Sequence, residues 1–516
     1  MFKSSKSIVF VIIFAFTSFS FAATYYVSPT GTGTGTGTFS SPLSFTSAIA
    51  KSLVAGDSLI IRGGVYIFNV KQTISRSGTA GNLIHIVAYN SEIPVLDFRT
   101  QTYGTAGVSL SGNYVHFMGI TIQGAGDNGL YVTGNNNLIE KCVFRWNCDS
   151  GLQMKTGSNN NILNCDAYEN FDYKTGGTAS PDYGGNADGF ADKQYTNTGT
   201  NTYKGCRSWL NSDDGWDHYQ KIGNSVCDSC WCYGNGPASY DMTDHIRFKT
   251  DSASWFYQFK NSSGRYIIKN YGNGNGFKLG GDYTAHNASL RNCVSVLNTV
   301  KGFDQNNNSG TMTLFNCSGY LNKQDYGFSN NSYGTLIIKN CATLSSKNSN
   351  SFSSKSVTQS FNSWNSGFSC LANYFVSLDY QQLLNKRNND GSLPEITFLH
   401  QLSTSGMIDK GTNLGFPFYG LAPDLGAFEF NLNSAISNNK VDNGISAYYS
   451  GALKELFLQG DMFGVEIFNI EGKKVFSKKV STNNITINTS NWDKGVFLVV
   501  VNSSQNINSS NKIMIQ

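Results

Sequence analysis

The chain has 516 residues, of which 54 are glycine, 8 are proline and 14% are charged. A single compact core rarely grows this large, so the length predicts either several domains or a repeat array. The abundance of glycine and polar turn residues, with few helix formers, favours β structure over helix. A formal net charge of +4 gives no case for a nucleic-acid partner, although it is compatible with a polyanionic substrate.

The first residues have the pattern of a secretory signal peptide. Lys3 and Lys6 precede an apolar run from Ile8 to Phe16, and Ser20-Phe21-Ala22 offers small residues for cleavage. We therefore predict a signal peptide over residues 1–22. A single membrane anchor is the alternative, but the apolar run is short for a span of about 20 residues. No later stretch predicts a stable membrane span.

Self-similarity is the strongest organising signal in residues 23–430. The last three Asn-Cys dipeptides are 24 residues apart and end at Cys293, Cys317 and Cys341. Glycine followed by a large apolar residue is a second marker, at intervals that are mostly 22 to 26 residues. Short β-type runs at a period of about 24 are typical of a parallel β-helix. We predict regular coils from about residue 105 to about 370, after an irregular N-terminal cap.

Equivalent positions of successive β-helix coils stack about 4.8 Å apart. The asparagines of the Asn-Cys dipeptides are therefore predicted to form a hydrogen-bonded ladder in a turn. The cysteines beside them are predicted to be free buried thiols, although 11 cysteines in an exported chain leave disulfides open. Cys227, Cys230 and Cys232 have a spacing that metal sites use, but no second half of such a motif follows, so core packing or a local disulfide is preferred.

The chain changes character after residue 430. The Asn- and Ser-rich stretch 431–443 is predicted to be a linker. Residues 444–516 show alternating apolar segments separated by turns, which is typical of a small antiparallel β-sandwich. This tail resembles the C-terminal sorting domain of type IX secretion. The resemblance implies the type IX secretion machinery as a partner and a secreted or cell-surface-attached product. A carbohydrate-binding or spacer module is the alternative.

Aligning the coils on the glycine marker places acidic residues in register. Asp188 and Asp214 both precede a marker glycine, so they are predicted neighbours on adjacent coils, with Asp213 and Asp217 beside them. Four carboxylates this close repel one another strongly. A hard cation resolves the repulsion, and the high negative charge favours Ca²⁺ over Mg²⁺. Simple turn formation by Asp-Gly and Asp-Asp pairs is the alternative.

Lys278 falls in the same column as Asp217, two residues after a marker glycine. Apolar residues and glycines flank it, so we expect it beside the metal site rather than as a solvated surface charge. A nearby cation lowers the pKa of a lysine and favours the neutral amine, which can act as a general base. A metal and a lysine base, without a Ser or Cys nucleophile, suit abstraction of a proton α to a carboxylate.

Three motifs together resemble polysaccharide lyase family 9, the pectate lyases of that type: Asn186–Ala191, Asn211–Asp217 and Gly276–Gly281. The resemblance covers most of residues 25–430. It implies a right-handed parallel β-helix that cleaves α-1,4-linked polygalacturonate by β-elimination, with Lys278 as the Brønsted base. By motif match, the Ca²⁺ ligands it implies are Asp188, Asp213, Asp214 and Asp217.

The segment between Asn235 and Lys278 is longer than the family pattern and carries cationic and aromatic residues. We predict that this insertion lines the cleft, with cations for uronates and aromatics for sugar stacking. A decorated turn is the alternative. The candidate substrate-binding residues in the insertion and near the motifs are Lys193, Lys221, Arg247, Lys249 and Trp255.

Other functions stay open from the sequence. A lyase on another uronate polymer, such as rhamnogalacturonan I, would use the same site. A non-catalytic β-helix surface adhesin would explain the repeat and the tail, but not the aspartate cluster beside Lys278. A polygalacturonase would need paired acid and base carboxyls plus Gly-His-Gly and Arg-x-Lys motifs, which are absent near Asp213-Asp214. We expect a monomer that acts on a pectic polysaccharide.

Overall fold

A computed structural model describes residues 22–176, 180, 182–196, 198–247, 260–430, 446–450, 455–459, 462–480, 484–502 and 508–515. The predicted signal peptide, except residue 22, and the predicted linker lie outside this part of the chain, as do Lys249 and Trp255. The chain divides into two compact units, residues 1–416 with 422–428, and residues 417–421 with 429–516. Of the helices in the described ranges, none is long and apolar enough to span a membrane.

The first unit is a parallel β-helix of three long sheets, in which each strand pairs with the equivalent strand of the next coil. The strands of the first sheet, in chain order, are Thr24–Thr32, Ser58–Ile61, Ile84–Ala88, Val115–Met118, Leu138–Glu140, Asn161–Leu163, Thr200–Lys204, Gly223–Asp228, His286–Arg291, Thr311–Phe315, Thr335–Lys339 and Ser356–Ser360.

The second sheet is called the site sheet below because it carries Asp217 and Lys278. Its strands are Gln72–Ile74, Val108–Leu110, Leu130–Val132, Leu152–Met154, Phe190–Asp192, Trp216–Asp217, Phe277–Lys278, Lys301–Asp304, Gln324–Phe328 and Ser351–Phe352. The strands of the third sheet are Gly64–Ile67, Pro94–Asp97, Thr121–Gln123, Val143–Arg145, Asp166–Tyr168, Arg207–Trp209, Trp231–Tyr233, Val294–Val296, Ser318–Tyr320 and Ala342–Leu344.

A few short elements decorate these coils. Helix Phe45–Ile49 begins at Ser44, whose side chain accepts a hydrogen bond from the Ser47 N–H, an ordinary N-terminal cap. The insertion contains the antiparallel hairpin Ser239–Asp241 and Ile267–Lys269. Two 3₁₀ helices, Ala372–Tyr374 and Tyr380–Leu384, follow the last coil.

The coils begin much earlier than the sequence predicted. Strand Thr24–Thr32 already pairs in parallel with Ser58–Ile61, so the expectation of an irregular cap before residue 105 was wrong. These first coils lack the Asn-Cys and glycine markers, but their strands still alternate, and Leu59 and Ile61 are fully buried. Their alternation, rather than either marker, was the signal that could have identified them.

A stack of aromatic rings fills the interior behind the site sheet. Its members are the large apolar residues that follow the marker glycines or occupy the equivalent strand position: Phe190, Trp216, Phe277, Phe303 and Tyr326. Successive ring centroids are 5.0, 4.6, 5.2 and 5.0 Å apart. Because side chains alternate along a strand, these inward rings direct the next residue, such as Asp217 or Lys278, outward.

The cysteines stack in the core as predicted. All 11 are free, and ten of them are buried. The asparagines beside them do not form the main ladder, which corrects that prediction. Asn164, Asn292, Asn316 and Asn340 instead have φ values of 53°, 53°, 51° and 57°, the left-handed region that asparagine tolerates better than most residues.

A different set of buried asparagines forms the ladder, in the turn that precedes the site sheet: Asn147, Asn170, Asn211, Asn235, Asn298 and Asn322. Each side-chain amide donates to the next side-chain oxygen at 2.8–3.1 Å. Each oxygen also accepts the backbone N–H of the preceding member. The ladder fixes the turn from which the residues of the acidic cluster emerge.

The second unit contains two antiparallel sheets, as predicted for a small β-sandwich. One has strands Ser446–Ser450, Glu455–Gln459 and Asn484–Asn488, and the other has Gly464–Asn469, Lys474–Lys479, Gly495–Asn502 and Asn508–Ile515. Alternate residues of both sheets form one buried apolar cluster that includes Leu456, Ile467 and Val499. The glutamate and glycine of Glu471-Gly472 lie in the tight turn between two of these strands, where Gly472 has φ +79°.

Candidate metal and catalytic site

Three neighbouring strands of the site sheet bring the candidate residues together. Ala191 pairs with Asp217, and Asp217 pairs with Lys278. Asp188 and Asp214 each lie two residues before their strand, and the backbone N–H of Asp214 donates to Asp188 Oδ1 at 3.1 Å. The structure therefore confirms the register between coils that was predicted by aligning them on the glycine marker.

The four predicted ligands form one buried acidic cluster, consisting of Asp188, Asp213, Asp214 and Asp217. Their exposed fractions are 0%, 5%, 0% and 2%. Carboxylate oxygens of the first three all lie within 4.8 Å of one another. Such a concentration of buried carboxyls is costly without positive charge nearby.

Two lysines supply positive charge to the acidic cluster. Lys278 Nζ lies 2.9 Å from Asp214 Oδ2 and 3.3 Å from Asp217 Oδ1. Lys193 Nζ lies 3.0 Å from Asp188 Oδ2 and 2.8 Å from Asp217 Oδ2. Two ammonium groups face four carboxyl groups, so the cluster holds more potential negative charge than the lysines balance.

The pKa values reflect that imbalance. Burial raises the pKa of Asp188 to about 7, and burial and neighbouring carboxylates raise the pKa of Asp213 and Asp214. Burial would also raise the pKa of Asp217, but the ammonium groups of Lys193 and Lys278 hold it at about 2. A cation that binds here would permit all of these carboxyls to ionise.

Lys278 holds its own proton tightly in this arrangement. Burial would lower its pKa, but the surrounding carboxylates outweigh burial and raise the pKa well above the ordinary value. From the sequence we predicted that a bound cation lowers the pKa of Lys278, and this effect of a cation stays a prediction. The carboxylates alone have the opposite effect, so Lys278 needs them neutralised before it can accept a proton.

Main-chain and amide groups hold the carboxylates in place. The backbone and side-chain nitrogens of Asn275 both donate to Asp214 Oδ1 at 2.8 Å. Asn273 donates its N–H to Asp213 Oδ1 at 2.5 Å, and Tyr219 donates its N–H to Asp217 Oδ1 at 2.9 Å. Asp214 Oδ2 is buried, and its partner is the Lys278 ammonium at 2.9 Å. That oxygen is therefore directed at a position for positive charge.

The structure corrects two of the predicted substrate contacts. Lys221 is fully buried, and its Nζ donates to Asp192 Oδ1 and Gln194 Oε1, both at 2.9 Å. Arg247 is 2% exposed and its guanidinium donates to carbonyl oxygens of early coils, including Gly124 O at 2.9 Å. Neither side chain is available to a polymer outside the β-helix.

Arg247 instead holds the insertion against the coils. Its guanidinium also donates to Phe98 O, Gln101 O and the Tyr173 hydroxyl. A guanidinium is suited to several carbonyl acceptors because it has five N–H donors in a fixed plane. The side chain of Lys193 is 21% exposed and contacts the acidic cluster, so it lies at the site as predicted, though bound to carboxylates.

Sequence reasoning missed a pair of buried histidines behind Lys278. The Nδ1 of His218 lies 3.0 Å from Lys278 O, and the Nδ1 of His286 lies 3.0 Å from Leu279 O. Burial lowers the pKa of both imidazoles, which keeps them neutral. His218 directly follows Asp217, so strand alternation points it to the opposite face, but nothing in the repeat marked either histidine.

The fold and this site define a parallel β-helix protein with a buried carboxylate and lysine centre on one sheet. Residues 25–350 match the family described as Pel9A-like, right handed beta helix region. The chain belongs to this family, and its β-helix is therefore right-handed. Residues 454–516 match the secretion system C-terminal sorting domain, so the protein is secreted or attached to the cell surface.

Curated relatives and solved structures agree with this membership. Pectate lyase L of Dickeya chrysanthemi is 37% identical over 79% of this chain and 90% of its own length. Pectate lyase L of Paenibacillus polymyxa (strain SC2) is 35% identical over 52% of this chain and 56% of its own. The crystal structure of pectate lyase Pel9A has a TM-score of 0.67 at 34% identity, covering 80% of this chain and 97% of that one. A rhamnogalacturonan lyase with a TM-score of 0.62 at 23% identity, covering 74% and 97%, shows likeness of fold alone.

Proposed function

We propose that this chain is a calcium-dependent pectate lyase that cleaves α-1,4-linked polygalacturonate by β-elimination, with Lys278 as the base. Family membership makes the chain a polysaccharide lyase. The observation that carries the finer proposal is the position of Lys278 Nζ, 2.9 Å from Asp214 Oδ2 at the edge of the acidic cluster. Lys278, as the proton acceptor, and the acidic cluster, as the cation-binding centre, would then both contact the same substrate.

The acidic cluster fits a calcium ion by the chemistry of its donors. All four side chains offer hard carboxylate oxygens, which Ca²⁺ prefers. Among the described residues, Asp213 has no ion pair within 4 Å, and the partner of the buried Asp214 Oδ2 is the Lys278 ammonium. We assign Asp188, Asp213, Asp214 and Asp217 as the ligands. A bound calcium ion would supply positive charge to a uronate carboxylate and make the adjacent C5 proton more acidic.

The chain's own residues supply the rest of the reaction. Neutralising the four carboxylates removes the interaction that raises the pKa of Lys278, so that Nζ can lose its proton and become a base. Nζ then takes the C5 proton, the C4–O4 bond breaks, and a C4–C5 double bond forms. The O4 atom leaves with the other fragment and takes a proton from water. Lys193, which is partly exposed beside the cluster, is our candidate contact for a second uronate.

The architecture suggests how the protein reaches its substrate. We propose a signal peptide over residues 1–22, a catalytic β-helix over 23–430, a linker over 431–443 and a sorting domain over 444–516. The sorting domain implies recognition by the type IX secretion machinery. A pectic polymer is too large to enter a cell, so an exported lyase fits that substrate.

The direct test is the absorbance of the unsaturated product on polygalacturonate, measured with added Ca²⁺ and after chelation. We expect product formation with Ca²⁺, loss of activity in chelator and recovery when Ca²⁺ is restored. Rhamnogalacturonan I is tested in parallel. Product from that polymer alone would refute the assigned substrate, activity that survives chelation would refute the metal role, and inactivity on both polymers would favour a binding protein such as an adhesin.

A further inference from the structure

Lys278 ends a very short strand that pairs with neighbouring strands on both sides, through Asp217 and Asp304. Its strand, Phe277–Lys278, is only two residues long, and Gly280 and Gly281 follow almost at once. Both glycines are required by close contacts: a Cβ at Gly280 would lie 2.4 Å from Asn308 Cβ, and one at Gly281 would lie 2.3 Å from the Tyr219 ring. Leu279 is fully buried in the core, but Gly280 and Gly281 beyond it contribute no side-chain packing.

Two buried imidazoles meet this backbone from inside the β-helix. Lys278 O accepts two hydrogen bonds from His218, from its backbone N–H at 3.1 Å and from its Nδ1 at 3.0 Å. Leu279 O accepts from His286 Nδ1 at 3.0 Å. The two rings lie against each other with centroids 4.7 Å apart. Two consecutive carbonyl groups, of Lys278 and Leu279, are thus held by a pair of adjacent rings.

The hydrogen-bond chemistry fixes which nitrogen carries each proton. A carbonyl oxygen only accepts, so Nδ1 must be the protonated nitrogen in both rings. The other nitrogen of His286 is then an acceptor, and the Ser225 hydroxyl lies 2.8 Å from it as a donor. Asn308 Nδ2 reinforces the same end, since it donates to Leu279 O at 2.7 Å. These roles agree with neutral imidazoles, and His218 Nε2 is buried without a hydrogen-bond partner among the described residues.

We infer that His218 and His286 form a backbone clamp that positions Lys278 for proton transfer, with His218 as the principal positioning residue. This inference rests on the proposed function of Lys278 as the base. Neither ring touches the reacting atoms; the clamp acts through the Lys278 carbonyl and sets the direction of the side chain. A displacement of about 1 Å at a catalytic group can cost about 100-fold in rate, so a modest loosening of this backbone is sufficient to slow the reaction.

The test compares two amides at position 218. In His218→Asn the amide nitrogen is two bonds from Cβ, as Nδ1 is, so it can still donate to Lys278 O. In His218→Gln the amide nitrogen is one bond further away, so that donation is lost while polarity is similar. We expect Asn to keep kcat on polygalacturonate within about threefold and Gln to lower it by at least about tenfold, with KM and the Ca²⁺ affinity little changed in both.

Two controls separate positioning from folding. His400→Leu removes a half-buried imidazole that stacks on Phe428, with ring centroids 4.4 Å apart, and we expect it to lower thermal stability without changing kcat. Long-range ¹H–¹⁵N spectra of the protein labelled at its six histidines should show the rings of His218 and His286 protonated at Nδ1, and the His218 signals should disappear in His218→Asn.

The outcomes distinguish the clamp from the function on which it rests. A parent protein without lyase activity would overturn the proposed function and, with it, the catalytic role of the clamp. An active parent in which Gln and Asn have equal kcat values would overturn the clamp alone. Spectra in which His218 is protonated at Nε2 would also overturn it, whatever the activity of the parent protein.

Discussion

The asparagine ladder should make a large and calculable contribution to the stability of the coils around the site. Asn211 precedes Ser212-Asp213, and its Oδ1 accepts the Asn170 backbone N–H at 3.2 Å and the Asn170 amide at 2.8 Å. Asn211→Ala would leave both of these buried donors without an acceptor. Each unpaired buried donor costs about 1–3 kcal/mol, so we expect the free energy of unfolding to fall by about 2–6 kcal/mol.

Urea unfolding followed by tryptophan fluorescence would measure this loss, with Asn224→Ala as the matched control. Asn224 lies on the outside of the first sheet, where its half-buried side chain bonds Thr200 Oγ1 at 3.3 Å and Asn287 Nδ2 at 3.1 Å. Water can replace those partners, so the control should lose no more than about 0.5 kcal/mol. Equal small losses for Asn211→Ala and Asn224→Ala would refute the reasoning.

Two further predictions concern charge. Asp213→Asn should keep the hydrogen bond from Asn273 N–H but remove a ligand charge, so Ca²⁺ affinity measured by calorimetry should fall at least about tenfold. Asp166 is paired with Arg207 and Arg387 at 2.8 and 2.7 Å; although burial alone would raise its pKa, the two guanidinium groups lower it. Asp166→Asn should therefore cost about 3–5 kcal/mol at pH 7, and the difference from the parent should shrink below about pH 4.

The sign of the Asp166 effect follows from its depressed pKa. The folded-state pKa lies below the unfolded one, so the stabilisation is present above the unfolded pKa and is lost as the pH falls through the folded value. A stability difference between Asp166→Asn and the parent that stays constant from pH 7 to pH 3 would contradict this prediction.

For Asp213→Asn the matched control is Asp325→Asn, which changes a buried aspartate outside the site whose pKa burial raises to about 6. An equal loss of Ca²⁺ affinity in both variants would contradict the ligand assignment.

The sequence predicted the part of the site that depends on repeat register. Marker glycines followed by large apolar residues define which positions point inward, so Asp217 and Lys278 had to share an outward column. The first coils were missed because they lack those markers and show only the weaker signal of strand alternation. The asparagine ladder was assigned to the wrong turn, since asparagine is favoured both in ladders and at positive φ.

The remaining errors concern side chains whose burial depends on partners far along the sequence. Lys221 is inside because Asp192 and Gln194 accept its hydrogen bonds, and Arg247 is inside because an insertion carries it to the carbonyl groups of early coils. A buried lysine or arginine is exceptional unless it is paired. Neither pairing can be recognised from the residues next to Lys221 or Arg247 in the sequence, so both residues were interpreted as surface cations.

The central claim, that Lys278 is the base beside a calcium site, is tested most directly by Lys278→Met. Methionine has a similar length and no basic nitrogen, and general-base catalysis typically contributes about 10²–10⁴-fold. We expect kcat on polygalacturonate to fall by about that factor at saturating Ca²⁺, while Ca²⁺ still binds with equal or higher affinity because an ammonium group has left the acidic cluster. A variant that binds Ca²⁺ and keeps kcat within about tenfold of the parent would contradict the account.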